Sequence, residues 1–246
     1  MVLARLFVPV EHKPFPNGCN FGASMKIAWD GLVTSTLLAC ALITTSLVAY
    51  QQFFARQLPQ AQKPIFVANW QTQLEKFRRL GPADAQVQLI EFADYECPYC
   101  ASFHATLDAL RKRYPRQVAV YLIHHPLPGH RFAEKAARAA ECAGAQGHFE
   151  AMHASLFNHQ NALGLKPWGE LADEAGVPDL VLFESCIESA EPIRLLLEGK
   201  EFADQLGVRG TPTVIVNGWQ LGQPPTAKEL DRMVKLILAG KSPVSE

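Results

Sequence analysis

Val87-Gln88-Leu89-Ile90-Glu91-Phe92-Ala93, then Asp94-Tyr95-Glu96, then Cys97-Pro98-Tyr99-Cys100 is the stretch that decides the fold. Its first part is a short apolar run and predicts a buried strand interrupted by one acid. After Pro98, the residues Tyr99, Phe103, Leu107, Leu110 and Tyr114 recur at spacings of three and four, which predicts an amphipathic helix ending before Pro115. Pro98 suits the first helical position, where a missing N–H costs nothing. Cys97 then stands at a helix N-terminus, where unpaired N–H groups and the positive end of the dipole favour a thiolate. It is the candidate nucleophile. Cys100, one turn on and more buried, is within disulfide reach and can resolve a mixed disulfide by attacking Cys97. The same pair could be half of a zinc site, which requires two further ligands. There is no second CxxC, and His124, His125, His130, His148, His153 and His159 do not fall in a CxxC…HxxxH arrangement, so no metal is expected.

Working outward, the 246 residues are 48% hydrophobic and 19% charged, ample material for a core. A net charge of −1 with no basic stripe sets nucleic acid aside. Six cysteines are too few for a disulfide scaffold of this length. Residues 31–50 carry no charge, and at about 1.5 Å per residue they reach about 30 Å, the hydrocarbon thickness of a bilayer. Trp29 and Tyr50 bracket the run as interfacial aromatics do. Ala39-Cys40-Ala41 has the small-x-small form of a signal cleavage site, and Leu37 to Cys40 resembles a lipobox. The apolar run continuing to Tyr50 favours an uncleaved anchor over both. The domain reading is a leader at 1–24, with translation starting at Met25; an anchor or signal segment at 25–50; a partly helical stalk at 51–82; and the folded domain at 83–246.

The Asp94–Cys100 run after an apolar strand, with Gly210-Thr211-Pro212-Thr213-Val214-Ile215-Val216-Asn217-Gly218 near the end, resembles the thioredoxin superfamily, and within it the DsbA family of bacterial thiol:disulfide oxidoreductases. The resemblance covers about Ala83 to Gly240. It implies an α/β thioredoxin-like fold with an inserted all-helical subdomain at about 131–206, here preceded by an N-terminal transmembrane helix. It also implies that Pro212 is cis and packs beside the CxxC, leaving the backbone of Thr211 free to pair with an extended substrate peptide. Pro98, Tyr99 and Thr211 are the expected substrate contacts. Glu91 matches the position of the family's buried acid, where a raised pKa would let it take the proton of Cys100. A solvated strand-edge glutamate is the plainer alternative. The run Val118–Ile123 resembles the next strand, and one of His124 and His125 would either stand near the thiols or face solvent at the strand end. Cys142 and Cys186 fall on different helices of the insertion, as a structural disulfide or as two buried thiols. Cys19 and Cys40 receive no redox role. Asn217-Gly218 predicts a tight hairpin turn between Val214–Val216 and Trp219–Leu221, followed by a helix from Thr226 to Ala239.

The implied activity is thiol–disulfide exchange without a cofactor, most simply forming disulfides in reduced or misfolded extracytoplasmic proteins. The domain would face the periplasm from a single inner-membrane span, or be secreted after signal cleavage. A membrane redox partner would reoxidise or rereduce the pair. Strong oxidants of the family carry histidine where this chain has Tyr99, so a reductase or isomerase on the same fold stays open. So does a non-catalytic module that binds peptides or zinc.

Overall fold

The computed structural model describes residues 21–57 and 63–245, with side chains described over 33–52 and 63–245. The expected leader up to residue 20, with Cys19, and the question of the start codon lie outside the described residues. The chain divides into two compact units, Met1–Gln60 and Ala61–Glu246.

In the first unit, helix α1 runs from Phe21 to Gln57. Within it, Val33–Gln52 is a 20-residue segment of mean hydropathy 1.7, long and apolar enough to cross a membrane. Its polar groups are satisfied internally: the Thr44 and Thr45 hydroxyls donate to the carbonyls of Cys40 and Ala41 at 2.9 and 2.8 Å.

The second unit is built on a six-stranded sheet. Its strands are β1 (Ile65–Phe66), β2 (Arg78–Leu80), β3 (Val87–Ala93), β4 (Val118–His124), β5 (Thr213–Val216) and β6 (Trp219–Gln220), in the spatial order β1-β6-β5-β3-β4-β2. Within this sheet, β3 and β4 pair in parallel, joined through helix α2 (Pro98–Arg113), and the other pairings among the described residues are antiparallel. The partly helical stalk expected at 51–82 is helical at its start but is corrected at its far end, which belongs to the sheet. Helix α1 continues through its first residues, and β1 and β2 are sheet strands, β2 lying antiparallel to β4 with Arg78 opposite Leu122. Two- and three-residue strands are too short to show a period, so their membership depends on the partner edges that receive them.

Between β4 and β5 stand five helices: α3 (Ala133–Ala145), α4 (Phe149–Asn158), α5 (Trp168–Glu174), α6 (Leu180–Glu188) and α7 (Arg194–Gln205). This is the inserted helical region. Helix α8 (Ala227–Leu238) closes the chain behind a capping box of Thr226 and Glu229. The hairpin turn places Asn217 and Gly218 at φ 43° and 87°, the left-handed pair a two-residue turn requires. A Cβ on Gly218 would also come within 2.6 Å of the Trp70 ring.

Both faces of the sheet are covered, so β3 reads as a nearly continuous apolar run. Leu89 and Ala93 join Phe103, Leu107 and helices α3 to α6 on one face, while Ile90 and Phe92 pack with Phe202 of α7 on the other. By the two-residue period of a strand, Glu91 falls on the face of Leu89 and Ala93, the α2 side.

Candidate active site

Helix α2 buries Cys100, Phe103, Leu107 and Leu110, the expected stripe with one substitution. Tyr99 is one position out of phase and stands 74% exposed; Cys100 takes its place facing the core. Pro98 is the first helical residue and is also exposed. Cys97 caps the helix in extended conformation (φ −76°, ψ 118°), and no acid lies in the first turn to oppose a negative sulfur. Of the three expected substrate contacts, Pro98 and Tyr99 are therefore exposed and Thr211 is half-buried, while both cysteines are buried.

The Thr211–Pro212 peptide bond is cis. Pro212 is buried, and the Cys97 thiol donates to the Thr211 carbonyl at 3.3 Å. A chain separation of 114 residues is thus closed onto the reactive sulfur. Burial pushes the Cys100 thiol up strongly, with the charge of Glu91 adding to the effect. Cys100 therefore needs help to lose its proton.

Glu91 is buried, and neither carboxylate oxygen has a hydrogen-bond partner. Burial alone pushes its carboxyl up to about 8. The solvated strand-edge alternative is overturned: β3 is central, pairing Glu91 with Leu122 of β4 and Val214 of β5. For His124 the expectation that a strand-end histidine faces the thiols or solvent is corrected as well. His124 is buried and bonded at 2.9 Å to Glu141, which also takes Arg78 at 2.7 Å. Burial works against the Glu141 charge, yet His124 and Arg78 hold its carboxyl below the ordinary value. His125 packs edge-on against Phe92, with ring centroids 6.4 Å apart. Cys142 and Cys186 are joined as a disulfide between α3 and α6, with a Cα–Cα distance of 5.8 Å.

Three groups that sequence reasoning missed position the cysteine loop. The Gln160 amide donates to the carbonyls of Tyr95 and Cys97 at 2.7 and 2.9 Å, clamping the loop from the helical insertion. Asp94 is buried and accepts from the amides of Glu96 and Leu127, both at 2.7 Å, and pairs with His130 at 2.8 Å. Below them the Tyr95 hydroxyl meets His153 Nδ1 at 2.9 Å, and His153 Nε2 meets His104 Nδ1 at 3.1 Å. Asp94 stood in the quoted motif and could have been singled out as a short acid before a helix cap. Gln160 carried no local signal, since its partners lie 63 and 65 residues away.

A family profile described as thioredoxin matches residues 73–236. A Na(+)/H(+) antiporter NhaA 1 of Mycolicibacterium gilvum (strain PYR-GCK) is 32% identical over 158 residues, covering 63% of this chain and 25% of the antiporter. The chain thus spans about a quarter of the length of the curated relatives it matches. Among solved structures, a thioredoxin-like oxidoreductase from Silicibacter pomeroyi DSS-3 is similar at 27% identity and a TM-score of 0.56, covering 67% of this chain and 94% of that one. Oxidised BdbD from Bacillus subtilis shares the fold at 20% identity and a TM-score of 0.60, over 73% of this chain and 98% of its own. With a sheet in thioredoxin order, a CxxC capping the helix after β3 and a cis-proline beside it, the chain belongs to the thioredoxin family.

Proposed function

We propose that the protein is a thiol:disulfide exchange enzyme acting on extracytoplasmic proteins, working chiefly as a disulfide donor. The observation that carries the reading is the Cys97 sulfur at the N-terminus of α2, 3.3 Å from the Thr211 carbonyl beside the cis-proline. An extended peptide pairing with the backbone at Thr211 would lay its own cysteine against that sulfur. A substrate thiolate attacks Cys97 in the disulfide, Cys100 leaves with the electron pair, and a second substrate thiol then displaces Cys97. In the opposite direction Cys100 resolves the mixed disulfide, with Glu91 as the base that takes its proton.

Two features favour an extracytoplasmic setting, where donation is the direction the compartment supports. The domain carries a cross-link between Cys142 and Cys186, which belongs in an oxidising compartment. The segment Val33–Gln52 can hold it at a membrane, with the domain on the periplasmic side. The partners are then reduced or misfolded proteins and a membrane redox protein that reoxidises the pair. Cys100→Ser leaves Cys97 able to form mixed disulfides but unable to be resolved. Expressed in cells, it should accumulate protein adducts that vanish on reduction, and Cys97→Ser should not. Equal adduct levels in the two variants would sink the assignment.

A further inference from the structure

Glu91 is buried in the sheet with both oxygens unpartnered, yet its role above requires a proton to enter and leave. The substrate face offers no exit while a peptide covers it. A cavity of about 10 Å³, lined by neither cysteine nor by Thr211 or Pro212, lies against Glu91, His104, Asp108, Arg111 and His153. That is room for about one water. A wider cleft of about 210 Å³ shares His104, Asp108, Arg111 and His153 with it and adds Glu150 and Asn158 at the mouth between α2 and α4. The two spaces therefore share one wall. His104 is the group in that wall that is half-buried, titratable and hydrogen-bonded inward, its Nδ1 3.1 Å from His153 Nε2.

We propose that His104 is the outlet of a proton path from Glu91: the proton given up by Cys100 passes to Glu91 and leaves through the small cavity, His104 and the cleft between α2 and α4. The inference rests on the exchange reading and on Glu91 as the base within it. During resolution the Cys100 S–H bond breaks and its proton goes to the Glu91 carboxylate. The Cys100 sulfur then bonds to Cys97, the bond from Cys97 to the substrate sulfur breaks, and that electron pair leaves on the substrate, which is reduced as the pair is oxidised. Glu91 returns its proton through the water-sized space to His104 and solvent. In the donating direction the same path runs inward, supplying the proton that Cys100 takes as it leaves.

The surrounding groups suit this role. Burial holds His104 below its ordinary value, Asp108 and Glu150 opposing and Arg111 and Lys112 assisting, so it is neutral and able to accept a proton at pH 7. His153 is held lower still by burial and by His104, His124 and Arg111, and Tyr95, kept protonated by burial, anchors its Nδ1. The cleft is rimmed by the Arg111–Glu150 pair at 2.7 Å.

The test uses residues 61–246, which form their own compact unit, with the CxxC reduced and Cys142–Cys186 left closed. Mixing with 5,5′-dithiobis(2-nitrobenzoate) releases one nitrothiobenzoate as Cys97 attacks and a second, in a phase independent of reagent concentration, as Cys100 resolves the adduct. His104→Ala should slow the second phase about fivefold or more and leave the first unchanged, and imidazole in the buffer should restore it. His104→Gln, which keeps a hydrogen bond to His153 but carries no proton, should behave as His104→Ala does. A second phase at the wild-type rate in either variant, a loss that imidazole does not rescue, or a loss shared by both phases overturns the path. Glu91→Gln separates the two claims. If it leaves the second phase untouched, the base role itself fails; if it slows that phase while His104→Ala does not, only the outlet fails.

Discussion

Glu91 links the chemistry to stability. Its carboxyl titrates near 4.5 when unfolded and near 8 when buried, so below pH 4.5 both states are protonated and its ionisation costs the fold nothing. As pH rises through 4.5 the unfolded chain ionises and the native state does not, so stability falls until about pH 8, where both are ionised and the slope ends. At pH 7 the penalty is about 3 kcal/mol. Glu91→Leu should raise denaturation stability by about 2–3 kcal/mol at pH 7 and by almost nothing at pH 4, while slowing the resolution phase. A gain of equal size at both pH values would mean the carboxyl is not the cause. The position of this acid was legible because one charge in a seven-residue apolar strand has few places to go. Its lack of any hydrogen bond was not, since that depends on what β4, β5 and α2 bring to it. The histidine at the end of β4 misled for the same reason: Glu141, on a helix that packs later in the chain, takes its ring.

At the scale of elements, a covalent bond holds the helical insertion together and the Gln160 amide ties it to the cysteine loop. The cross-link between α3 and α6 joins residues 44 apart, and a closed loop of that size restricts the unfolded chain by about 3–4 kcal/mol. Cys142→Ser with Cys186→Ser should lower stability by roughly that amount, read by urea unfolding, and leave the exchange chemistry in place at 25 °C. Gln160→Ala leaves the Tyr95 and Cys97 carbonyls without their side-chain donor, at a cost of about 1–2 kcal/mol. Because those carbonyls belong to the active loop, the variant should slow attack by Cys97 more than thermal stability alone would suggest. A rate unchanged beside a lowered Tm would make the clamp purely structural. The long elements were readable from periodicity: β3, α2, β4, the hairpin and α8 stand where the spacing put them. The edge strands β1 and β2 were not, because they have no period of their own and are held by pairing with β6 and β4.

At the scale of the whole molecule, an apolar helix and an exchange domain share one chain. Removal of residues 1–60 should yield a soluble domain that keeps its far-ultraviolet spectrum, while the full chain sediments with membranes. A full chain that stays soluble without detergent would contradict an anchor at Val33–Gln52. The most direct test of the account is the reduction potential of the Cys97–Cys100 pair in residues 61–246, measured against glutathione with Cys142–Cys186 intact. The account predicts a value above about −200 mV, that of a pair whose reduced form is stabilised and which gives its disulfide away. A value near about −270 mV would contradict it and make the protein a reductase dependent on an electron supply.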